Sequence, residues 1–231
     1  MTQQHPGYGP AGQQPQVHWA PPPQQGYYPP LPQPSPPPLP AKPSASGAFL
    51  FIAGLLVLMW AIEAADFITA GALDSFGIRP RSVESLPAIV VAPVLHFSFS
   101  HLAANTLPFL VLGTITRMSG RRDFWIATLL AVLGSGLTAW LLAAPGSVTA
   151  GASGVIFGWL TYLLVRGLIA GNWTQILVAA LVFGFFGGML WGVFPTVPGV
   201  SWQAHLGGAA GGLLAAGMLG RRSRARGLTA R

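Results

Sequence analysis

Cysteine is absent from this chain of 231 residues, and only 7% of the residues are Asp, Glu, Lys or Arg. The first absence excludes disulfide frameworks and cysteine–zinc sites. The second excludes an ordinary soluble domain, which is about 25% charged, because too little polar side chain remains to wet a surface. Acidic residues are scarcest, five against 12 basic ones. What the chain does have is a 52% hydrophobic fraction, 30 glycines and a mean hydropathy of +0.54. These numbers point to an integral membrane protein with several apolar spans. The net charge of +7 would also suit nucleic acid, but membrane topology accounts for it without one.

Residues 1–46 differ from the rest. They hold 15 of the 22 prolines and eight glutamines, with no acid. Such a stretch favours polyproline II and cannot build a core. It reads as a disordered cytoplasmic tail. The sharper alternative is a docking ligand for a proline-recognising partner, through the tracts at 29–34 and 37–40. A tail this long before the first apolar run argues against a cleaved signal peptide.

From Ala48 onward, apolar runs recur at lengths that suit a bilayer, about 20 residues each. Spans are expected near 48–70, 93–116, 123–144, 151–169, 173–194 and 203–220, within a membrane domain at 47–220. The connection 71–92 is interrupted by Pro87 and abuts Pro93, and is expected to lie in the interface or re-enter. Glu63 and Asp66, toward the end of the first span, should approach water or face protein. With the N-terminus in the cytoplasm and six crossings, ten basic residues fall inside: Lys42, Arg117, Arg121, Arg122, Arg166 and the five arginines of 221–231. Only Arg79 and Arg81 fall outside. Five or seven spans would break this positive-inside bias. The tail 221–231 reads as a topology anchor near anionic lipid. The expectation is an all-α, six-span protein of the plasma membrane with both termini cytoplasmic.

Polar groups inside spans are costly and mark candidate sites. Three clusters begin the even-numbered spans and so share the outer leaflet: His96-Phe-Ser-Phe-Ser-His101-Leu-Ala-Ala-Asn105, Gly151-Ala-Ser153-Gly154 and His205-Leu-Gly-Gly208. His101 and Asn105, four apart, share a helix face. Ser153 at a helix start has a backbone N–H without an intrahelical partner, at the positive end of the dipole. Such a donor can hold a developing oxyanion. A serine needs an adjacent base to be a useful nucleophile. His205 is the candidate base on a helix separate from that of His101. No carboxylate is available at that depth, which leaves a serine–histidine dyad. Gly154 and Gly158, with Gly208 and Gly212, have the small-residue spacing that packs two helices closely. That packing would bring Ser153 to His205. The same spacing is common in membrane helices and proves no catalysis alone. A transporter or channel, a helix-binding scaffold without activity, and a metal site from His96, His101 and His205 are the competing readings. The last has no carboxylate or cysteine to complete it.

The motifs His101-x-x-x-Asn105, Gly151-x-Ser153-Gly154 and His205-x-x-Gly208-x-x-x-Gly212, in this order, resemble the rhomboid family of intramembrane serine proteases. The resemblance covers roughly residues 48–220. It implies a rhomboid-like bundle, no cofactor, and cleavage of transmembrane protein substrates within the lipid bilayer. Ser153 would be the nucleophile and His205 the general base. His101, Asn105 and the Ser153 N–H would form the oxyanion site, and His96 would be structural or near it. The 71–92 connection resembles the family's membrane-embedded first loop, and the fifth span its lateral gate. Two departures stand out. The loop reads Gly77-Ile-Arg-Pro-Arg-Ser82 where many members have a Trp-Arg pair. Phe157 takes the place of a tyrosine under the histidine; a phenyl ring can stack on imidazole but offers no hydroxyl.

Overall fold

The computed structural model describes residues 43–170 and 173–229, together with Thr2. The proline-rich tail therefore lies almost wholly outside the described residues. Its last residues are helical: α1 (Ala45–Ile68) begins two residues before the expected boundary, where the Ser44 hydroxyl accepts the Gly47 N–H at 3.1 Å. The other helices are α2 (Ala88–Val91), α3 (Phe99–Met118), α4 (Arg121–Leu142), α5 (Ser153–Ala170), α6 (Trp173–Phe186) and α7 (Trp202–Thr229). Short 3₁₀ turns cover Ala72–Phe76, Val83–Ser85, Ala92–Val94 and Gly187–Val193. No strand occurs among the described residues, only a bridge between Ile78 and Thr149. Every regular element among the described residues is helical.

Several expected boundaries move for local reasons. The second span was expected from residue 93, but α3 starts at Phe99. Ser98 caps it by accepting the His101 N–H at 3.2 Å, which leaves 93–98 outside the helix. The fourth starts at Ser153 rather than 151, because Gly151 has φ +123°, a value no right-handed helix accommodates. The fifth keeps α-helical geometry only to Phe186 and continues as a 3₁₀ turn to Val193. The last continues past residue 220, to Thr229. By length and composition, α1, α4 and the stretch Trp173–Val193 can each cross a membrane. Val83–Val94 and Phe99–Met118 pass together as a pair bent by 69°.

Helix α5 is the hub. Every residue from Gly154 to Leu163 is buried, so protein rather than lipid surrounds it. Trp159, fully buried, packs on Phe109 and Phe124 with ring centroids 5.0 and 5.7 Å away, and donates to Thr128 Oγ1 at 3.0 Å. Helix α7 lies against two neighbours through two glycine pairs set about 100° apart around its axis. A Cβ at Gly207 or Gly211 would overlap the α4 backbone at Gly134 or Leu130. One at Gly208 or Gly212 would overlap the α5 backbone at Gly154 or Gly158. Thr161 Oγ1 seals the second contact by donating to the Ala209 carbonyl at 2.8 Å.

The loop after α1 is fixed at both ends. Glu63 and Asp66 face protein, both buried, and Asp66 Oδ1 accepts the Leu73 N–H at 2.6 Å. Farther on, Arg81 N–H donates to the Trp140 carbonyl at 2.9 Å, and the Trp140 indole donates to the Ser82 carbonyl at 2.8 Å. The Arg81 guanidinium reaches the Leu141 carbonyl at 3.0 Å. This loop thus hangs on the end of α4 by Arg81 and Trp140.

Candidate active site

Close packing of α5 on α7 decides the central geometry. Ser153 is the first residue of α5 and His205 lies in the first turn of α7. Small residues at the crossing let the two starts meet, and Ser153 Oγ lies 2.8 Å from His205 Nε2. The other ring nitrogen, Nδ1, is 2.9 Å from the Gly192 carbonyl. A carbonyl only accepts, so Nδ1 carries the proton and Nε2 is left with its lone pair toward the serine hydroxyl. The tautomer that can act as a base is therefore set by a backbone carbonyl, with no carboxylate involved. Phe157 stacks on the imidazole, with centroids 4.1 Å apart and planes 9° from parallel.

The turn before Ser153 is held from below. Ala152 N–H points at His96 Nε2 at 3.4 Å, and Gly151 N–H donates to the Ala92 carbonyl at 2.9 Å. His96 is buried and its ring packs edge-on against His101 at 5.1 Å. Gly151 has a second constraint besides its backbone angle. A Cβ there would lie 3.0 Å from His101 Nε2 and 3.9 Å from Asn105 Nδ2. Both side-chain nitrogens therefore face the peptide that leads into Ser153. Asn105 is buried, and its Nδ2 has no protein partner.

Ser153, His205, His101, Asn105, Gly151 and Phe157 all line one cavity of about 530 Å³. His96, Gly154 and Gly208 do not line it; the first supports the turn, and the glycines form the helix crossing. Two further contributors carried no signal in the sequence. Gly192 acts through a main-chain carbonyl, which any residue possesses. Ser135, one of several serines within the apolar spans, lies on the cavity wall beside Gly154. Among the described residues, no three His, Cys, Asp or Glu side chains gather as metal ligands.

A serine hydroxyl aimed at a neutral imidazole can deliver its proton as it attacks a carbonyl. A buried amide N–H₂ with no partner, beside that serine, can receive the negative charge that forms.

Comparison with known proteins bears on the whole membrane region. The rhomboid domain family matches residues 84–222, more than half of the chain. An uncharacterized protein of Mycobacterium tuberculosis is 40% identical over 173 residues, covering 71% of this chain and 72% of its own. A Mycobacterium leprae protein, also uncharacterized, is 40% identical over 173 residues, covering 71% and 68%. The rhomboid protease GluP of Bacillus subtilis is 31% identical over 186 residues, or 74% of this chain and 34% of GluP. With that extent of match, and with apolar helices long enough to span a bilayer, this chain is a membrane protein and belongs to the rhomboid family.

Proposed function

We propose that the protein is an intramembrane serine endopeptidase that cuts transmembrane or membrane-proximal segments of other membrane proteins. The observation that carries this reading is the 2.8 Å contact between Ser153 Oγ and His205 Nε2, with Nδ1 engaged by the Gly192 carbonyl. Ser153 Oγ attacks the scissile carbonyl carbon while its proton passes to His205 Nε2. The oxyanion is received by Asn105 Nδ2, His101 and the Ser153 N–H. The tetrahedral adduct collapses, His205 returns the proton to the leaving amine, and an acyl-enzyme remains. Water activated by His205 then hydrolyses the ester and restores Ser153. No cofactor takes part. A helical substrate in lipid has every backbone group satisfied, so the cut segment must unwind first, near small or helix-breaking residues.

The same reading places six crossings, by α1 and α3–α7, with both termini in the cytoplasm of a plasma-membrane protein. The ten-to-two division of basic residues supports it. The proline-rich stretch 1–46 is then a cytoplasmic tail, free to dock a proline-recognising partner, and 221–231 a basic anchor. Cleavage of a transmembrane reporter by the full chain in liposomes tests the dyad. Ser153→Ala and His205→Ala should each abolish product, and unchanged product from either variant would sink the assignment.

A further inference from the structure

A second cavity lies at the other end of α5. Arg166 is 13 residues after Ser153, about 20 Å along the helix. It lines a space of about 350 Å³ bounded by α3, α5 and α6, within the range of small-ligand pockets, about 300–1,000 Å³. The walls divide by chemistry. Val111, Ile115, Leu181 and Phe185 make the apolar part, and Arg166, Ser119, Thr174 and Gln175 the polar end. Leu181 and Phe185 are 54% and 82% exposed, so the space opens sideways, where a bilayer would lie.

Arg166 is an unusual residue to find there. Its side chain is only 9% exposed, one terminal nitrogen contacts Asp123 at 3.4 Å, and Nε has no protein partner. Asp123 is the only acid at this end of the bundle; the other four lie between Glu63 and Glu84, beside the opposite end. Arg117, Arg121 and Arg122, at the α3–α4 junction, add to the positive field. An occupant with an apolar chain and a negative head satisfies both parts of the wall. The cytoplasmic end of a transmembrane helix does not, since such ends are rich in Lys and Arg.

We propose that this cavity binds an anionic phospholipid, with an acyl chain against Ile115, Leu181 and Phe185 and the phosphate on Arg166. Basic pockets between transmembrane helices are suited to such headgroups, and a guanidinium matches phosphate geometry. In the six-span orientation the lipid belongs to the cytoplasmic leaflet and stands in the lower part of the α3–α6 gap.

Native mass spectrometry of the full chain in detergent, titrated with dioleoyl phosphatidylglycerol or dioleoyl phosphatidylcholine, tests the site without requiring catalysis. The parent should retain phosphatidylglycerol more tightly. Arg166→Gln should weaken that lipid about tenfold or more and leave phosphatidylcholine unchanged, while Arg166→Lys keeps part of the preference. Ile115→Trp fills the apolar part, leaves the ion pair intact, and should weaken both lipids; it serves if Arg166→Gln fails to fold. Arg117→Gln, outside the cavity lining, should weaken phosphatidylglycerol less than Arg166→Gln does. Equal retention of the two lipids by the parent, an unchanged preference in Arg166→Gln, or unchanged retention of both lipids in Ile115→Trp would overturn the proposal. Displacement of phosphatidylglycerol by millimolar inorganic phosphate, or by a single-span peptide, would do so too.

Discussion

Helix α7 and the 3₁₀ turn Gly187–Val193 that follows α6 both supply atoms to the candidate site, and they are held in different ways. Helix α7 meets α4 and α5 backbone to backbone through Gly207, Gly208, Gly211 and Gly212. Helix α6 buries only Ala179 and Val182, and the 3₁₀ turn after it buries no residue. Ser153 and His205 therefore sit on the tightly joined pair. The carbonyl that accepts from His205 Nδ1, that of Gly192, belongs to the loosely held segment. A site divided this way can keep Ser153 and His205 in register while the wall around them yields to a substrate.

The contrast can be broken most severely at the dyad. Ser153→Ala should reduce cleavage by about 10⁶-fold, the scale seen when a serine nucleophile is removed, with an unchanged melting temperature. Next is the tight interface. Gly208→Val would drive a side chain into the Gly154 backbone and should cost both fold and activity. Circular dichroism melts should show a clear destabilisation that Ser153→Ala does not. Asn105→Ala removes a donor and should slow cleavage by about 10²–10³ with little effect on substrate binding. Gly192→Ala probes the loose side. Its Cβ would lie 2.8 Å from Phe157 and 3.1 Å from His205 Nδ1, which displaces the segment and its carbonyl. Loss of that hydrogen bond should cost about 1 kcal/mol, roughly fivefold in rate, with the stability of α5 and α7 intact. The smallest effect is expected at the loop anchor. Trp140→Phe deletes the indole bond to Ser82 and should lower the melting temperature by about 2–4 °C.

The parts of the site that depend on side-chain type were legible in the sequence. His101, Asn105, Ser153 and His205 are chemically distinctive in an apolar chain, and glycine spacing pointed to the crossing that joins two of them. The parts that depend on main chain were not. Gly192 contributes a carbonyl, and its position follows from where α6 gives way to a 3₁₀ turn. The loop's attachment was also hidden, since Arg81 and Trp140 are 59 residues apart in sequence and pair through backbone atoms. Helix starts shifted for similar reasons: a serine cap moved α3 to Phe99, and a positive φ at Gly151 moved α5 to Ser153. Hydropathy windows register neither.

The central claim is that the Gly192–His205–Ser153 chain of hydrogen bonds makes Ser153 a nucleophile. Labelling the full chain in liposomes with a fluorophosphonate probe, followed by peptide mapping, addresses it directly. The account predicts a covalent adduct on Ser153 that is lost in His205→Ala. An unlabelled Ser153 in the parent, or equal labelling with and without His205, would contradict it.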